Sequence, residues 1–465
     1  MLLISNVIAA LSTFYRSEEL RFLFSLPLTP ERVFPAKMFE NTFYSSWATL
    51  LLALPIVVAY LTAFELPFLR CLLTIPALLG FIAIPAGIGV SILLILRYLF
   101  PFLNTRDVIF ILLGILGLPM ILFLATNPSV FRVPKEPNLV LLNQYLEHLY
   151  AMSPYLPSTW FVRVLEGNRV WLHTLLLVVG GIASVSLSFV VKDICYRRGV
   201  MMGAVERSIR RIKARMIVGG GMLGLTAKEI VLFFRNPLQW AQSLIVVGLL
   251  GVYLVNLKTN PFLRQDPFWT GILTLTNIAF ISYLSATMSV RFVYPAMSLE
   301  DGAFWFLLSS PVPRVKVLFA KILGNMVMAV PLVGLLTYTS GRILLLPFAF
   351  VVFTTVLMVV VSAALAVLSV CLGAVFANFG DDNPSRLASG GGGAITAVFC
   401  LGYVFMVVMF LLAPVREYVR KWISGAEPVL GGDFVVAGCG VIVLSVLVVL
   451  FSLYWALRSR RWQEC

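Results

Sequence analysis

Apolar runs of about 20 residues recur along the whole of this 465-residue chain, and each is long enough to cross a hydrocarbon core about 30 Å thick as a helix. A helix satisfies its own backbone hydrogen bonds, so it needs no water inside a bilayer. Hydrophobic residues make up 60% of the chain and charged residues only 12%, whereas soluble domains carry about 25% charged residues. The sequence therefore predicts an all-α polytopic integral membrane protein.

Charged residues, prolines and glycines mark the ends of ten of these runs, and we expect each of the ten to be a full span. They lie at residues 41–64, 69–96, 108–126, 170–191, 238–257, 268–290, 317–338, 343–376, 394–413 and 434–457. Residues 1–14 form a partial eleventh run, which is too short to cross a bilayer alone. The sequence thus predicts about 10–11 transmembrane helices.

The formal net charge of +14 lies in short loops between the spans. A nucleic-acid footprint needs a basic face on a folded domain with base-contacting or stacking residues, so we expect no nucleic-acid partner. About 24 of the 35 lysines and arginines share one side if the linker at 195–224 is cytoplasmic, as the positive-inside rule requires. Basic loops also attract anionic headgroups, so the lipid bilayer is an expected partner.

An internal repeat organises the chain, because residues 16–41 align without a gap to residues 300–325. Lys37 recurs as Lys321 and Asn41 recurs as Asn325, and the other recurring positions of the first copy are Phe22, Leu23, Ser25, Pro27, Val33 and Ala36. We therefore divide the chain into a first transmembrane half at 1–194, a basic cytoplasmic linker at 195–224 and a second half at 225–465. Parallel repeats can build a translocation path between two halves. Duplication in a scaffold or a lipid-modifying enzyme is the alternative.

Each copy of the repeat begins with acids and continues through an aromatic and aliphatic run to a Ser-x-Pro turn. Such a segment can lie in the interface with its apolar face in the headgroup boundary and its charges toward the cytoplasm. Proline would end the short helix and fix the angle into the next span. We expect a surface exposed to a partner, and a re-entrant or merely connecting loop is the alternative.

Several segments resemble those of ABC-2 type exporter permeases. SEELRFLFSLPLTPERVFPAK and EDGAFWFLLSSPVPRVKVLFAK look like the coupling-helix region between the second and third spans of such proteins. LTAKEIVLFFRNPLQWAQSL is similar to the amphipathic elbow helix that leads into the first span of a half, and ANFGDDNPSRLASGGGG and SPYLPSTWF also resemble exporters of this class. The matches cover most of the chain in outline. The first half departs from the plan because it lacks the glycine-rich stretch.

The resemblance implies the membrane-spanning permease of an ATP-driven exporter, built from two tandem parallel repeats of a six-helix half. It implies a separate ABC ATPase subunit, in two copies, that would hold ATP and Mg, so that this chain would hold no cofactor and would not be an enzyme. It also implies a multi-pass location in the plasma membrane, as a bacterial inner or cytoplasmic membrane protein. The residues implied at the ATPase contact are Glu18, Glu19, Leu20, Pro27, Glu300, Asp301, Phe304 and Pro311. Those implied in the elbow are Lys228, Glu229 and Arg235.

Absent motifs narrow the alternatives. No G-x-x-x-x-G-K-[ST] sequence occurs in the chain, so no P-loop is predicted. A proton- or sodium-driven carrier usually needs ionisable groups inside the membrane, and none lies near a predicted span centre. The two histidines and six cysteines have no metal-like or disulfide-like spacing. A membrane enzyme or assembly factor acting on lipids, and a secondary carrier, are the alternative functions.

Polar residues on the otherwise apolar span at 268–290 are candidates to line a path, and they are Thr274, Asn277, Ser282 and Ser285. Serine, threonine and asparagine also form ordinary interhelical hydrogen bonds, so packing is the alternative role. The substrate is not readable from the sequence.

The repeat offset aligns Met1 with Ser285, so the first half lacks a counterpart of residues 225–284. We therefore expect the first half to be truncated at its N-terminus, with translation starting upstream. The alternative is a ten-span protein in which a partner or lipid covers the exposed flank.

Overall fold

The computed structural model of the chain is built of helices and turns, and the residues it describes contain no β-strand. The predicted all-α fold class is confirmed. The described residues up to Ile209 form one compact unit, and those from Gly221 onward form a second. The structure describes residues 2–15, 19, 23, 26, 30–100, 107, 110, 111, 114, 154–209, 221–235, 237–259, 267–303, 309, 312–379, 384–423 and 432–459.

The described part of the first unit contains the helices α1 (Leu2–Tyr15), α2 (Pro30–Ala63), α3 (Phe68–Leu99), α4 (Pro157–Glu166) and α5 (Val170–Ile209). Residues 6–14 of α1 are all buried, as expected for a helix with packing neighbours on every side. The central position of α1 brings its few polar side chains into the interior of this unit.

Glycines allow α3 and α5 to pack closely. A Cβ atom on Gly80 of α3 would lie 2.5 Å from the carbonyl oxygen of Leu177 in α5, and a Cβ atom on Gly87 would overlap the backbone of Ser184. The hydroxyl of Ser184 in turn donates to the carbonyl of Ala83 at 3.2 Å. Close backbone approach at small residues is a common way for helices to associate in a bilayer, where lipid is as apolar as the helix surface.

The described part of the second unit contains eight helices. They are α6 (Gly221–Arg235), α7 (Pro237–Thr259), α8 (Pro267–Met288), α9 (Arg314–Ile343), α10 (Phe348–Val375), α11 (Pro384–Ser389), α12 (Gly391–Ile423) and α13 (Gly432–Arg458). The helix α6 packs against α9, and α10 packs against α9 and α13.

The helix α8 does not end in a regular turn. It passes into a π-helical turn at Ser289–Val293 and then into 3₁₀ turns at Tyr294–Ala296 and Ser298–Ala303. Pro295 lacks an amide hydrogen and so cannot continue an α-helix. Gly373 of α10 has no side chain at the point where the carbonyl of Tyr294 approaches it. This broken segment brings Glu300 beside the start of α9.

Seven helices among the described residues are long and apolar enough to cross a membrane, so the chain is a membrane protein. They are Phe68–Leu99, Val170–Cys195, Gly271–Ala296, Arg314–Ile343, Phe348–Val375, Gly391–Tyr418 and Gly432–Arg458. Each overlaps one of the predicted spans.

Three predicted spans are not among these seven. The predicted span at 41–64 lies within α2 except for its last residue, and the one at 238–257 lies within α7. The span at 108–126 falls almost wholly outside the described residues. The helix α5 continues to Ile209, so the predicted linker at 195–224 begins as helix. Charged residues end the apolar part of a span, but they do not interrupt its backbone hydrogen bonds.

Candidate functional site

Lys321 of α9 is the centre of a buried charge cluster. Its ammonium nitrogen Nζ lies 2.7 Å from a carboxylate oxygen of Glu300, 3.1 Å from one of Glu229 and 2.9 Å from the carbonyl oxygen of Ala296. Its side chain is 1% exposed. Because a lysine ammonium has three N–H donors, every donor of Lys321 has an acceptor within the protein.

Lys228 of α6 completes the cluster. Its Nζ lies 2.5 Å from the same oxygen of Glu300 and 3.4 Å from Glu229. Two lysines therefore alternate with two carboxylates, and we call Lys228, Glu229, Glu300 and Lys321 the charge cluster. It joins three elements, namely α6, the 3₁₀ turn at Ser298–Ala303 and the first turns of α9.

The approach of α6 to α9 depends on Gly324. A Cβ atom at this position would lie 2.7 Å from the Cβ of Glu229, which is closer than two carbon atoms can pack. Gly324 is three residues after Lys321, so both lie on the same face of α9. The missing side chain therefore lets Glu229 come down onto α9 beside the lysine that it neutralises.

The charges of the cluster compensate one another. Burial alone would raise the pKa of the Glu300 carboxyl, but the ammonium groups of Lys321 and Lys228 outweigh it and lower the pKa to about 2. Glu300 is thus ionised at neutral pH although its side chain is only 7% exposed. Removing one partner from such a buried pair leaves an uncompensated charge, which costs about 3–5 kcal/mol.

The first unit has a related arrangement around Lys37, the residue aligned with Lys321. The Nζ of Lys37 lies 3.0 Å from Glu19 and 2.6 Å from Glu40, and its side chain is buried. Glu40 aligns with Gly324 in the repeat. Each aligned lysine therefore meets two carboxylates, but the second carboxylate comes from the same helix in the first unit and from α6 in the second.

Of the residues that the resemblance assigned to an ATPase contact, the structure describes the side chains of Glu19 and Glu300, both of which bind the aligned lysines. Asp301 is described only as backbone, within the 3₁₀ turn. The other members of that set lie outside the described residues, and they are Glu18, Leu20, Pro27, Phe304 and Pro311.

The three elbow residues all lie on α6. Lys228 and Glu229 face α9 within the charge cluster, and Arg235 is the exposed last residue of the helix. Lys37 and Lys321 recur in the repeat, but the pattern alone did not indicate a role for them. The sequence signal for such a role is a lysine that recurs in both copies, together with the acids at the start of each repeated segment.

The candidate path residues of α8 are all buried. Asn277 accepts a hydrogen bond from Tyr253 of α7 at 2.6 Å and donates one to Ser340 of α9 at 2.9 Å. Ser282 donates to the carbonyl of Ile278 in its own helix at 2.8 Å. Thr274 also has an interaction partner, whereas the hydroxyl of Ser285 has none among the described residues.

One protein family matches the whole chain, over residues 1–465, and its description is "Putative ATP-binding cassette". The chain belongs to this family. Comparisons with curated proteins and with solved structures find no match.

The family match corrects what the resemblance implied. The expectation of an ABC-2 type exporter permease that leaves ATP to a separate subunit is wrong, because the family is described as the ATP-binding cassette itself over the full length. The expectation that this chain is not an enzyme is wrong for the same reason. The first expectation relied on the resemblance of short segments, and the second relied also on the P-loop motif, which is absent from the chain and yet does not exclude it from the family.

Proposed function

We propose that this chain is a membrane-embedded component of an ATP-binding-cassette transport system, located in a bacterial inner or cytoplasmic membrane. The observation that carries the proposal is the charge cluster, which joins α6, the Glu300 turn and α9 at the end of candidate spans. Family membership connects the chain with ATP, and the seven apolar helices connect it with a membrane.

The charge cluster would transmit movement from the predicted cytoplasmic boundary into the spans. Lys321 is the first buried charge of α9, and α9 continues from it as a candidate span to Ile343. Because separating a buried ion pair costs several kcal/mol, the three elements are expected to move together. A displacement of α6 driven by nucleotide would then be passed to α9 through Glu229 and Glu300.

We also propose that the chain consists of two tandem parallel repeats. The gapless alignment of residues 16–41 with 300–325 supports this, as does the pair of carboxylates that meets each aligned lysine. The first repeat has Glu40 where the second has Gly324. Glu229 compensates for this difference, since it supplies the carboxylate that position 324 lacks.

Photolabelling with 8-azido-ATP tests the link to nucleotide. The tagged chain would be isolated from its native membrane with whatever copurifies, irradiated with the labelled analogue, and resolved by mass. The family description predicts that the 51.5 kDa chain carries the label and that excess ATP displaces it. A second, copurified polypeptide carrying the displaceable label would instead support the separate ATPase partner. No displaceable label on any polypeptide of the preparation would overturn the proposal.

A further inference from the structure

Asn41 of α2 is a buried polar side chain without a partner. It is 0% exposed, and among the described residues neither its amide nitrogen nor its amide oxygen has a hydrogen-bond partner. The other buried asparagines of the described chain, Asn6 and Asn277, use both amide atoms in hydrogen bonds of 2.5–2.9 Å. Native proteins rarely leave buried polar atoms unpaired, so the environment of Asn41 calls for a ligand.

The aligned residue of the second unit behaves differently. Asn325 of α9 donates its amide N–H to the carbonyl of Lys321 in its own helix at 2.9 Å. Asn41 stands at the same distance from Lys37 in α2 but makes no such bond. Its amide is therefore not committed to its own helix, and it remains available to a group from outside.

The face of α1 opposite Asn41 carries short side chains. Asn6 of α1 bonds Ser45 of α2, and the rings of Phe14 and Phe34 meet at 5.1 Å. These two contacts show that α1 and α2 run antiparallel, and they bring Asn41 level with residues 9 and 10 of α1. Both of these are buried alanines, so α1 presents only methyl groups to Asn41 at this level.

A second unpartnered group lies on the same face of α1. Thr13 is 1% exposed and its hydroxyl has no partner among the described residues. Residues 6, 10, 13 and 14 share one side of a helix with 3.6 residues per turn, and Asn6 and Phe14 fix that side against α2. Thr13 is therefore about one turn, roughly 5 Å, along the interface from the level of Asn41.

The charge nearest to Asn41 on α2 is already compensated. Lys37 lies one turn before Asn41, and its ammonium binds the carboxylates of Glu19 and Glu40. The two unpartnered groups are an amide and a hydroxyl, both neutral, and each both donates and accepts a hydrogen bond. Such a site favours a ligand group that is uncharged and that also donates and accepts.

We propose that Asn41 and Thr13 form a binding site for an uncharged hydrogen-bonding group, a hydroxyl or an amide, between α1 and α2. The amide of Asn41 would donate to and accept from the ligand, and the hydroxyl of Thr13 would provide a second contact. The site does not depend on the proposed link with ATP, and it can be tested without nucleotide.

Thiol labelling in open membrane fragments tests this site. Asn41→Cys and Thr13→Cys would each be made in the full chain and treated with 2-hydroxyethyl methanethiosulfonate, which is uncharged and carries a hydroxyl, or with the cationic 2-(trimethylammonium)ethyl methanethiosulfonate. Each rate is divided by the rate of the same reagent with free glutathione. The native Cys400, which is 0% exposed, is the internal control for a buried thiol without a site.

The site predicts that the uncharged reagent modifies position 41 about tenfold faster than Cys400, and about tenfold faster than the cationic reagent does. The same preference is expected at position 13, which keeps the test open if Asn41→Cys does not assemble in the membrane. Rates as low as that of Cys400 at both positions would overturn the proposal. Equal normalised rates with both reagents would also overturn it, because both positions would then be open to bulk water.

Discussion

Glu229 of α6 is seated directly on Gly324 of α9, so closely that a Cβ atom on the glycine would lie 2.7 Å from the Cβ of the glutamate. The carboxylate of Glu229 then reaches Lys321, which is on the same face of α9, at 3.1 Å. The position of α6 therefore depends on a missing side chain and on a buried charge at once. Each of these dependences can be tested by a single substitution.

Gly324→Ala should displace α6, because the added methyl group occupies the space of Glu229. Overpacking of this kind costs about 1–3 kcal/mol, and the melting temperature of the purified chain in detergent should fall. Gly248→Ala in α7 is the matched control, since nothing lies within 4 Å of a Cβ at that position. An equal response of the two variants would show that the contact with Glu229 does not seat α6.

Lys321→Met should leave the two carboxylates of Glu229 and Glu300 with Lys228 as the one cation of the cluster. The expected loss of stability is about 3–5 kcal/mol, read from thermal or denaturant unfolding. Lys316→Met changes an exposed lysine on the same helix, and it should alter stability by less than about 0.5 kcal/mol. If the Lys321 variant were as stable as the Lys316 variant, the charge cluster would contribute nothing to the fold.

The stability that Glu300 contributes should depend on pH. Its pKa in the folded protein is about 2, below the ordinary value of 4.5, so the folded state favours the ionised carboxylate. This contribution is fully present above about pH 4.5 and is lost as the pH falls toward 2. Glu300→Gln lacks the titration, so the difference in melting temperature between wild type and variant should be larger at pH 6 than at pH 3. A difference that stayed constant or grew on acidification would contradict the role of the ionised carboxylate.

Asn277→Leu should cost about 1–2 kcal/mol, because it leaves Tyr253 and Ser340 without their bridging amide in a membrane environment. Ser282→Ala removes a hydroxyl that bonds a carbonyl of its own helix and, weakly, the sulfur of Met358 in α10 at 3.5 Å, and it should change stability by about 0.5 kcal/mol or less. Unfolding measured side by side distinguishes the two. An Asn277→Leu variant as stable as Ser282→Ala would favour a path-lining role over an interhelical bond.

The sequence was sufficient to predict the seven long apolar helices, because a run of about 20 apolar residues has few alternatives in a bilayer. It also identified the repeat that contains Lys37 and Lys321. It could not predict that Glu229 reaches Lys321 from a helix 92 residues away in sequence, since this contact depends on the packing of α6 at Gly324. The end of α8 was placed at residue 290, whereas the α-helix ends at Met288 and a π turn follows. A hydropathy pattern reports burial in lipid and does not report the hydrogen-bond geometry of a helix end.

The family to which the chain belongs could not be predicted from its short segments. Short segments such as the one containing Glu300 suggested one class of membrane protein, while the match over residues 1–465 assigns another description. A missing P-loop motif says which phosphate-binding loop is absent. It does not say which family the rest of the chain belongs to.

The charge cluster is proposed to couple α6 and α9 within an ATP-driven transport system. This coupling is tested most directly by the vanadate-sensitive ATP hydrolysis of the tagged chain, isolated from its native membrane with whatever copurifies. Wild type and Lys316→Met should hydrolyse ATP at similar rates, whereas Lys321→Met, matched for the amount of folded chain, should lose about tenfold or more. Vanadate-sensitive hydrolysis that is absent from the wild-type preparation, or that is equal in all three, would contradict the claim.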